Sequence, residues 1–160
     1  MSEIKILGEV ANIRGGTGFP EYLQGKPGKI PFIKVSDMNL PCNSHYIVSA
    51  NNYADDEVIR TLKPTIFPKG TVVFAKVGAA VYLNKRRILT KDTIIDNNMM
   101  GVTPHNVDPD FLYHFLLSID FAEFVQPGAL PSINQSILEA ILLPDLSVSE
   151  QEKVSVILNT

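Results

Sequence analysis

Residues 68–102 read PKGTVVFAKVGAAVYLNKRRILTKDTIIDNNMMGV, and this stretch decides the fold that the sequence predicts. The apolar run 71–75 and the later pair Ile88 and Leu89 consist of residue types that are typical of strands. Between them lie a corner of small residues and a polar, cationic segment. We therefore predict a strand, a charged tip and a second strand.

The tip of this hairpin carries the residues best suited to chemistry. Three adjacent cations can contact phosphates, and the neighbouring amide and phenol can bond to base edges. A charged hairpin end that only keeps the protein in solution is the alternative, because short clusters of Lys and Arg are common. On this stretch alone, the charged hairpin end is the favoured interpretation. The residues concerned are Tyr82, Asn84, Lys85, Arg86 and Arg87.

Length and composition bound the remaining possibilities. The chain has 160 residues, of which 45% are hydrophobic and 19% are charged, so we expect one folded domain. Apolar runs are too short to span a bilayer and the first residues do not resemble a signal peptide, which predicts a soluble, cytoplasmic protein. A single cysteine, Cys42, and histidines without metal-ligand spacing argue against a metal site, and we expect no cofactor.

Charge is distributed unevenly along the chain. The formal net charge is −3, which by itself does not suggest a nucleic-acid partner. Residues 14–91 contain 12 of the 14 Lys and Arg but only five of the 17 acids, a local charge of +7, and the remainder carries −10. This asymmetry predicts one surface for a polyanion and another for a different partner.

The first third of the chain predicts short elements around the hairpin. Residues 4–14 have apolar residues at near-helical spacing and run into a glycine-rich loop, 14–18, that matches no nucleotide-binding fingerprint. Residues 31–35 predict a strand that leads into a polar turn. Residues 51–59 predict a short helix with acids in its early turns.

The region after the hairpin predicts a turn and then a core helix. Asn97 and Asn98 are either turn formers or contacts to adenine and phosphate. Asp108 before Pro109 is a strong helix start, and residues 126–128 are expected to close that helix.

The C-terminal part predicts two further helices. Ser136 and Glu139 have capping-box spacing, which indicates a helix there and a strand over residues 140–143. Residues 150–158 predict a last amphipathic helix. One side of it is formed by Val154, Ile157 and Leu158.

Five segments, in this order and at this spacing, carry a resemblance to a known family: LGEVANIRGGTG, IPFIKVSDMN, PKGTVVFAKVGAAVYLNKR, DNNMMGV and LPSINQSILEAILLPDLSVSEQEKV. The set resembles one target recognition domain of the DNA specificity (S) subunit of a type I restriction-modification system. It covers nearly the whole chain. Each segment is short, so the ordered set carries the resemblance rather than any one of its members.

The resemblance implies a non-catalytic subunit that reads double-stranded DNA and directs methyltransferase and restriction subunits to one half of a split target. Complete subunits of the family carry two such domains, each followed by a long spacer helix. We therefore expect a recognition domain over residues 1–146 and, over residues 147–160, the start of a truncated spacer or dimerisation helix. Through that helix the chain would pair with a second copy of itself in a homodimer, or with a second recognition domain.

The fold expected from these patterns is mixed α/β (α+β). It consists of a twisted, mainly antiparallel sheet or partial barrel, a few helices, and a C-terminal helix that leads out of the domain.

The DNA-facing segments of the family match sixteen residues here, and no catalytic or metal-binding residue is expected among them. We expect Lys34, Lys76, Lys85, Arg86 and Arg87 mainly to bind phosphates, and Tyr82, Asn84, Asn97, Asn134 and Gln135 to read base edges. The complete set is Arg14, Thr17, Lys34, Ser36, Asn39, Lys76, Tyr82, Asn84, Lys85, Arg86, Arg87, Asn97, Asn98, Ser132, Asn134 and Gln135.

Two other classes of function remain as alternatives. A protein-interaction scaffold would dock a partner through the acidic C-terminal part and would not contact DNA. A small enzyme is the weakest alternative, because no nucleophile, base and orienting group recur at a recognisable spacing.

Overall fold

The structure is a computed structural model that describes residues 3–126, 128 and 130–159. The strands are β1 (Glu3–Ile6), β2 (Ala11–Gly15), β3 (Ile30–Ile33), β4 (Tyr46–Ile47), β5 (Tyr53–Ala54), β6 (Val72–Ala75), β7 (Arg87–Leu89), β8 (Ile94–Ile95), β9 (Met99–Pro104) and β10 (Leu142–Asp145). The α-helices are α1 (Leu7–Val10), α2 (Asp56–Leu62), α3 (Pro109–Leu117), α4 (Gln135–Glu139) and α5 (Val148–Leu158). Within the described residues, no helix combines the length and the apolar character that crossing a membrane requires.

The predicted hairpin forms the centre of a five-stranded sheet with the order β2-β9-β6-β7-β4. β6 pairs antiparallel with β7 on one side and with β9 on the other, whereas the edge strand β4 pairs parallel with β7. Val72 and Phe74 face one apolar core, and Val73 and Ala75 face a second. All four residues of β6 are buried because both faces of the sheet are covered. The expectation of a mixed fold with a mainly antiparallel sheet is confirmed.

The N-terminal segment consists of two strands around one helical turn, so the prediction of a single element of helical spacing over residues 4–14 is wrong. β1 pairs antiparallel with β10, and β2 pairs antiparallel with β9 at the edge of the central sheet. Only α1 between them is helical. Apolar spacing over so short a segment fits either structure, and pairing with distant strands decides between them.

A second sheet of three strands, in the order β5-β3-β8, includes the predicted strand over residues 31–35. This strand ends at Ile33, because the backbone turns into the 3-10 helix Val35–Asn39. Asp37 is fully buried and causes the turn: its carboxylate accepts bonds from the backbone N–H groups of Lys34 (2.7 Å) and Asn51 (2.8 Å).

Helices α2 and α3 begin at acidic caps. Asp55 caps α2, so this helix starts later than the predicted residue 51. Asp108 caps α3 by accepting from the backbone N–H of Phe111 at 2.9 Å, which agrees with the predicted start. α3 ends at Leu117, well before the predicted stop at residues 126–128, of which Pro127 lies outside the described residues.

The cap of α4 is Asn134 rather than Ser136. The Asn134 side chain accepts from the backbone N–H of Ile137 at 2.9 Å, and α4 therefore begins one residue before the predicted start. The strand that follows, β10, begins at Leu142, two residues after the predicted start.

Helix α5 confirms the predicted C-terminal helix, and a Ser147–Glu150 capping box marks its start. Val154 of the predicted apolar side packs, partly buried, against the core, but the two buried residues of this helix are polar. Gln151 and Ser155 are buried, and they bond to the backbone N–H (2.6 Å) and the carboxylate (3.0 Å) of Asp108. Leu158, which was assigned to the apolar side, is exposed. Buried polar groups are stable here because they satisfy one another.

Candidate nucleic-acid interface

Lys76 lies directly over the glycine loop that follows β2. A Cβ atom added to Gly15 would come within 2.7 Å of Lys76 Nζ, and one added to Gly16 would come within 2.0 Å of the Asp96 carbonyl oxygen. Only glycine permits the approach at position 16, which is to backbone, whereas the flexible Lys76 side chain could move away from a Cβ at position 15. Thr17 continues the contact, because its backbone N–H donates to the Ile95 carbonyl oxygen at 2.9 Å. The loop that begins at the exposed Arg14 is thereby fixed beside Lys76.

The exposed residues Asn97 and Asn98 form the turn before β9. Asp96 shapes this turn by accepting from the Asn98 backbone N–H at 2.9 Å, and the Asn98 carbonyl oxygen accepts from the Lys76 backbone N–H at 2.9 Å. Burial raises the pKa of Asp96, against the opposing effects of the Asn98 hydrogen bond and the charge of Lys34. The turn therefore lies between Lys76 and Lys34.

Ser132, Asn134 and Gln135 lie on the other side of Lys76. The Lys76 carbonyl oxygen accepts from the backbone N–H of Ile133 at 2.9 Å, which fixes this segment to the end of β6. The segment borders two clefts. One, of about 280 Å³, is lined by Gly15, Lys76, Val77, Met100, Ser132, Ile133, Asn134 and Gln135. The other, of about 690 Å³, is lined by residues that include Asn12, Arg14, Thr65, Thr103, Gln135 and Glu139.

The turn after β3 extends this surface. Lys34 is half-buried and its Nζ donates to Gln24 Oε1 at 3.1 Å, while Ser36 and Asn39 are exposed. Asn39 Oδ1 accepts from Lys85 Nζ at 2.5 Å, which links the turn to the hairpin tip. We call the connected set Arg14, Lys34, Lys76 and Lys85 the cationic strip.

The hairpin tip is folded against the body of the protein rather than extended into solvent. It contains the 3-10 helix Ala79–Leu83, in which Val81 is buried and Tyr82 is 48% exposed. Asn84 then adopts a left-handed backbone conformation, with φ 54°. Its side chain accepts from the Phe121 backbone N–H at 3.0 Å and donates to Asp120 Oδ1 at 3.0 Å. These contacts use the amide that we had predicted to read a base.

Arg86 is 1% exposed, so its predicted contact with phosphate does not fit the structure. Its guanidinium carbon lies 3.5 Å from the centroid of the Phe121 ring and 5.5 Å from that of Phe74. The guanidinium also donates to the Ile119 carbonyl oxygen at 3.2 Å and to Asn84 Oδ1 at 3.3 Å. Burial lowers the pKa of Arg86 to about 10, against the opposing charge of Asp120. Arg86 therefore packs in the core and connects the hairpin to the segment after α3.

Arg87 also bonds mainly to the protein. It is half-buried, and its guanidinium donates to the carbonyl oxygens of Arg86 (2.8 Å) and Met38 (2.9 Å). Burial lowers its pKa, with an opposing contribution from Tyr113. Of the three adjacent cations at the tip, Lys85 is the one left to meet a ligand.

The structure thus brings most of the predicted residues together and adds partners that the sequence did not indicate. The glycine loop and the clefts are surrounded by nine of them: Arg14, Thr17, Lys34, Lys76, Asn97, Asn98, Ser132, Asn134 and Gln135. Ser36, Asn39, Tyr82 and Lys85 continue from them. The sequence did not predict three of these partners, Asp120, Phe121 and Glu139. Nothing in the local sequence shows that the first two contact the hairpin tip or that Glu139 lines the larger cleft. Among the described residues, no group of His, Cys, Asp or Glu has the arrangement needed to hold a metal ion.

A separate cluster of titratable groups joins β4 to α3. The His45 ring stacks between those of Tyr46 and Tyr113, with centroid distances of 4.1 and 4.2 Å, and its Nε2 lies 3.8 Å from Asp110 Oδ1. Burial lowers the pKa of His45, although Asp110 acts in the opposite direction. The folded protein therefore prefers the neutral imidazole.

This preference predicts a pH dependence of stability. The pKa of His45 is lower in the folded than in the unfolded chain. Its contribution to the free energy of unfolding is therefore fully present above the ordinary pKa of about 6.5, and it is lost as pH falls from there through the pKa of the folded state. We expect His45→Gln to reduce the loss of unfolding free energy between pH 7.5 and pH 5, measured by urea denaturation. His105→Gln, at an exposed site, is the control. Equal losses in the wild type and His45→Gln would contradict this assignment.

Comparisons with known proteins give one family and a set of similar folds. The sequence profile described as "Type I restriction modification DNA specificity domain" matches residues 2–160. No curated protein matches the chain at a significant level.

Three solved structures share the fold at low sequence identity. A type I R-M system, described for its complex assembly and conformational transition, has a TM-score of 0.76 at 14% identity over 99% of this chain and 37% of the other. The HsdS subunit from Thermoanaerobacter tengcongensis has a TM-score of 0.71 at 15% identity, over 99% and 36%. The S subunit of a type I restriction-modification system from M. genitalium has a TM-score of 0.65 at 14% identity, over 99% and 38%. The chain therefore spans little more than a third of each of these proteins.

Proposed function

The chain belongs to the type I restriction modification DNA specificity domain family, and on this premise we propose that it reads the sequence of double-stranded DNA. In this proposal residues 1–146 form one target recognition domain, and residues 147–160 begin a spacer or dimerisation helix. The chain is a non-catalytic part of a specificity subunit in the cytoplasm. It directs methyltransferase and restriction subunits to one half of a split target.

The main support for the proposal is that polar side chains lie beside the members of the cationic strip. Lys76 lies over the loop that follows Arg14, and Lys85 bonds to the turn that follows Lys34. Exposed polar side chains lie beside these cations: Asn97 and Asn98 form the turn that is bonded to Lys76, Gln135 lines clefts with Arg14 and with Lys76, and Ser36 follows Lys34 in its turn. Phosphate contacts supply affinity and position, whereas amides and hydroxyls can discriminate between bases. A surface that alternates the two kinds of group suits duplex DNA.

The segments that present these groups are held by the protein before any ligand binds. Backbone hydrogen bonds fix Thr17 to Ile95 and Ile133 to Lys76, and the buried Asp37 fixes the turn that presents Asn39. A preformed surface loses less conformational entropy when it binds. This rigidity supports specific recognition over non-specific adhesion to a polyanion.

A direct binding experiment tests the proposal. Fluorescence anisotropy would be measured with labelled duplex DNA, single-stranded DNA of the same length and heparin, with the methyltransferase subunit present. We expect saturable binding of the duplex that heparin displaces only at high excess. Binding of heparin and single strands at least as tight as that of the duplex would contradict a duplex-reading function.

One observation favours the alternative of a protein-interaction module. The outer face of the β1–β10 ribbon exposes apolar side chains, and beside it lies an apolar groove of about 530 Å³ that includes Phe124 and Ile137. Exposed apolar patches commonly mark protein interfaces. The ribbon residues are Ile4, Ile6, Leu142 and Pro144. Under this alternative, replacement of the cationic strip by Ala would leave partner binding and biological activity intact.

A further inference from the structure

Gln135 occupies the place where the two clefts of the candidate interface meet. It lines both the cleft that contains Arg14 and the cleft that contains Lys76. The side chain is exposed and stands at the first position of α4. An amide between two cations is well placed to meet a base edge when the cations contact the flanking phosphates.

The orientation of the Gln135 amide is fixed by Glu139. Gln135 Nε2 lies 2.7 Å from Glu139 Oε1, one helical turn further along α4. An ionised carboxylate only accepts hydrogen bonds, so the NH₂ group must face it and the carbonyl oxygen must point away. One of the two N–H bonds remains for a ligand after the bond to Glu139 is made.

Glu139 is itself held in position by packing. A Cβ atom added to Gly8 would come 3.2 Å from Glu139 Cβ and 3.3 Å from its carbonyl oxygen, so α1 lies tightly against this residue. The start of α4 is equally fixed, because Asn134 Oδ1 accepts from the Ile137 backbone N–H and from Ser136 Oγ. The pair therefore sits on a rigid base.

From this arrangement, and resting on the proposed function, we propose that Gln135 reads one adenine in the major groove. Glu139 is then the positioning residue that holds the Gln135 amide in the orientation that selects adenine over guanine. Adenine presents an N6 amino donor beside the N7 acceptor, which matches an amide with its carbonyl oxygen and one N–H turned outward. Guanine presents two acceptors, O6 and N7, so the fixed carbonyl oxygen would face O6 without a proton between them. Glu139 prevents the amide rotation that would let Gln135 donate an N–H to guanine O6.

Selection from random duplex DNA, with the methyltransferase subunit present, tests this inference. The wild type is expected to prefer adenine over guanine at one position by about tenfold or more. Gln135→Ala should lose the preference at that position alone. Glu139→Gln should keep the preference for adenine but make it weaker, because a Gln135 amide free to rotate can donate one N–H to guanine O6, although its carbonyl oxygen would then face N7. Glu123→Gln removes the same charge at an exposed site outside both clefts and is the matched control.

Base analogues at the selected position test whether Gln135 contacts N6 and N7 of adenine. Purine, which lacks the N6 amino group, and 7-deazaadenine, which lacks N7, should each weaken binding by the wild type several-fold. Neither analogue should weaken binding by Gln135→Ala further. A purely structural role for Gln135 would lower affinity for every sequence without this analogue dependence.

The outcomes separate this inference from the function on which it rests. A selected site whose base preferences are the same in the wild type, Gln135→Ala and Glu139→Gln overturns the adenine assignment and leaves the DNA-reading function standing. Failure of the wild type to select any sequence overturns both.

Discussion

Arg86→Ala is expected to lower the free energy of unfolding by about 3 kcal/mol, the loss typical of a large buried side chain. The substitution removes the stacking of the guanidinium on Phe121 and leaves a cavity beside Phe74. It also leaves the partly buried Ile119 carbonyl oxygen without its hydrogen bond from Arg86. Urea denaturation monitored by circular dichroism measures the change.

The neighbouring residue provides the control. Lys85→Ala removes the same charge one position away, but the side chain is only partly buried and bonds to the exposed Asn39, so we expect a change within about 0.5 kcal/mol. Arg86→Lys should recover only part of the loss, because an ammonium group cannot stack as a planar guanidinium does. A loss below about 1 kcal/mol in Arg86→Ala would show that Arg86 is a surface residue, as its sequence context suggested.

The second large effect concerns the salt dependence of DNA binding. If the four members of the cationic strip each neutralise one phosphate, a plot of log affinity against log salt should have a slope of about −3.6. Counting all five phosphate contacts expected from the sequence would give about −4.5. Of those five, Arg86 and Arg87 bond to the protein instead, and Arg14 joins the remaining three to make the four members of the strip. Lys76→Ala should change the slope by about 0.9 towards zero and weaken binding to all sequences alike.

Lys153→Ala is the matched control for this experiment, since it removes an equal charge on α5, away from the strip. Its slope should equal that of the wild type. A slope near zero in the wild type would show that the strip neutralises no phosphates, and equal changes in Lys76→Ala and Lys153→Ala would show that net charge rather than the strip governs binding.

The elements that could be predicted from sequence are those whose signals are local. The turn residues and apolar runs of residues 68–102 predicted the central hairpin, because β-branched residues next to Gly and Pro leave few alternatives. The Asp108–Pro109 pair predicted the start of α3, since capping involves only neighbouring residues. The amphipathic spacing of residues 150–158 predicted α5, which the structure begins at Val148 behind a Ser147–Glu150 capping box.

Features that depend on distant contacts were missed. Residues 4–14 form strands because β9 and β10 pair with them, and no local pattern specifies those partners. The polar residues Gln151 and Ser155 of α5 are buried because Asp108 bonds to both of them. Both cases show tertiary contacts overriding a pattern read within one segment.

The candidate site was predictable in its composition but not in its geometry. Local charge pointed to residues 14–91, and the structure does connect Arg14, Lys34, Lys76 and Lys85. A cluster of adjacent cations nevertheless says nothing about which of them is buried. The rings that enclose Arg86 come from residues 12 or more positions away in sequence, so its burial could be found only in three dimensions.

The measurement that tests the central claim most directly is the selection of sequences from random duplex DNA by this chain together with its methyltransferase subunit. We predict enrichment of a short motif by the wild type, and its loss when Lys34, Lys76 and Lys85 are all replaced by Ala. Arg86 must stay in place in that variant, so that a folded protein is compared with a folded protein. Retention of the same motif by the triple variant, or an unchanged sequence distribution with the wild type, would contradict the account.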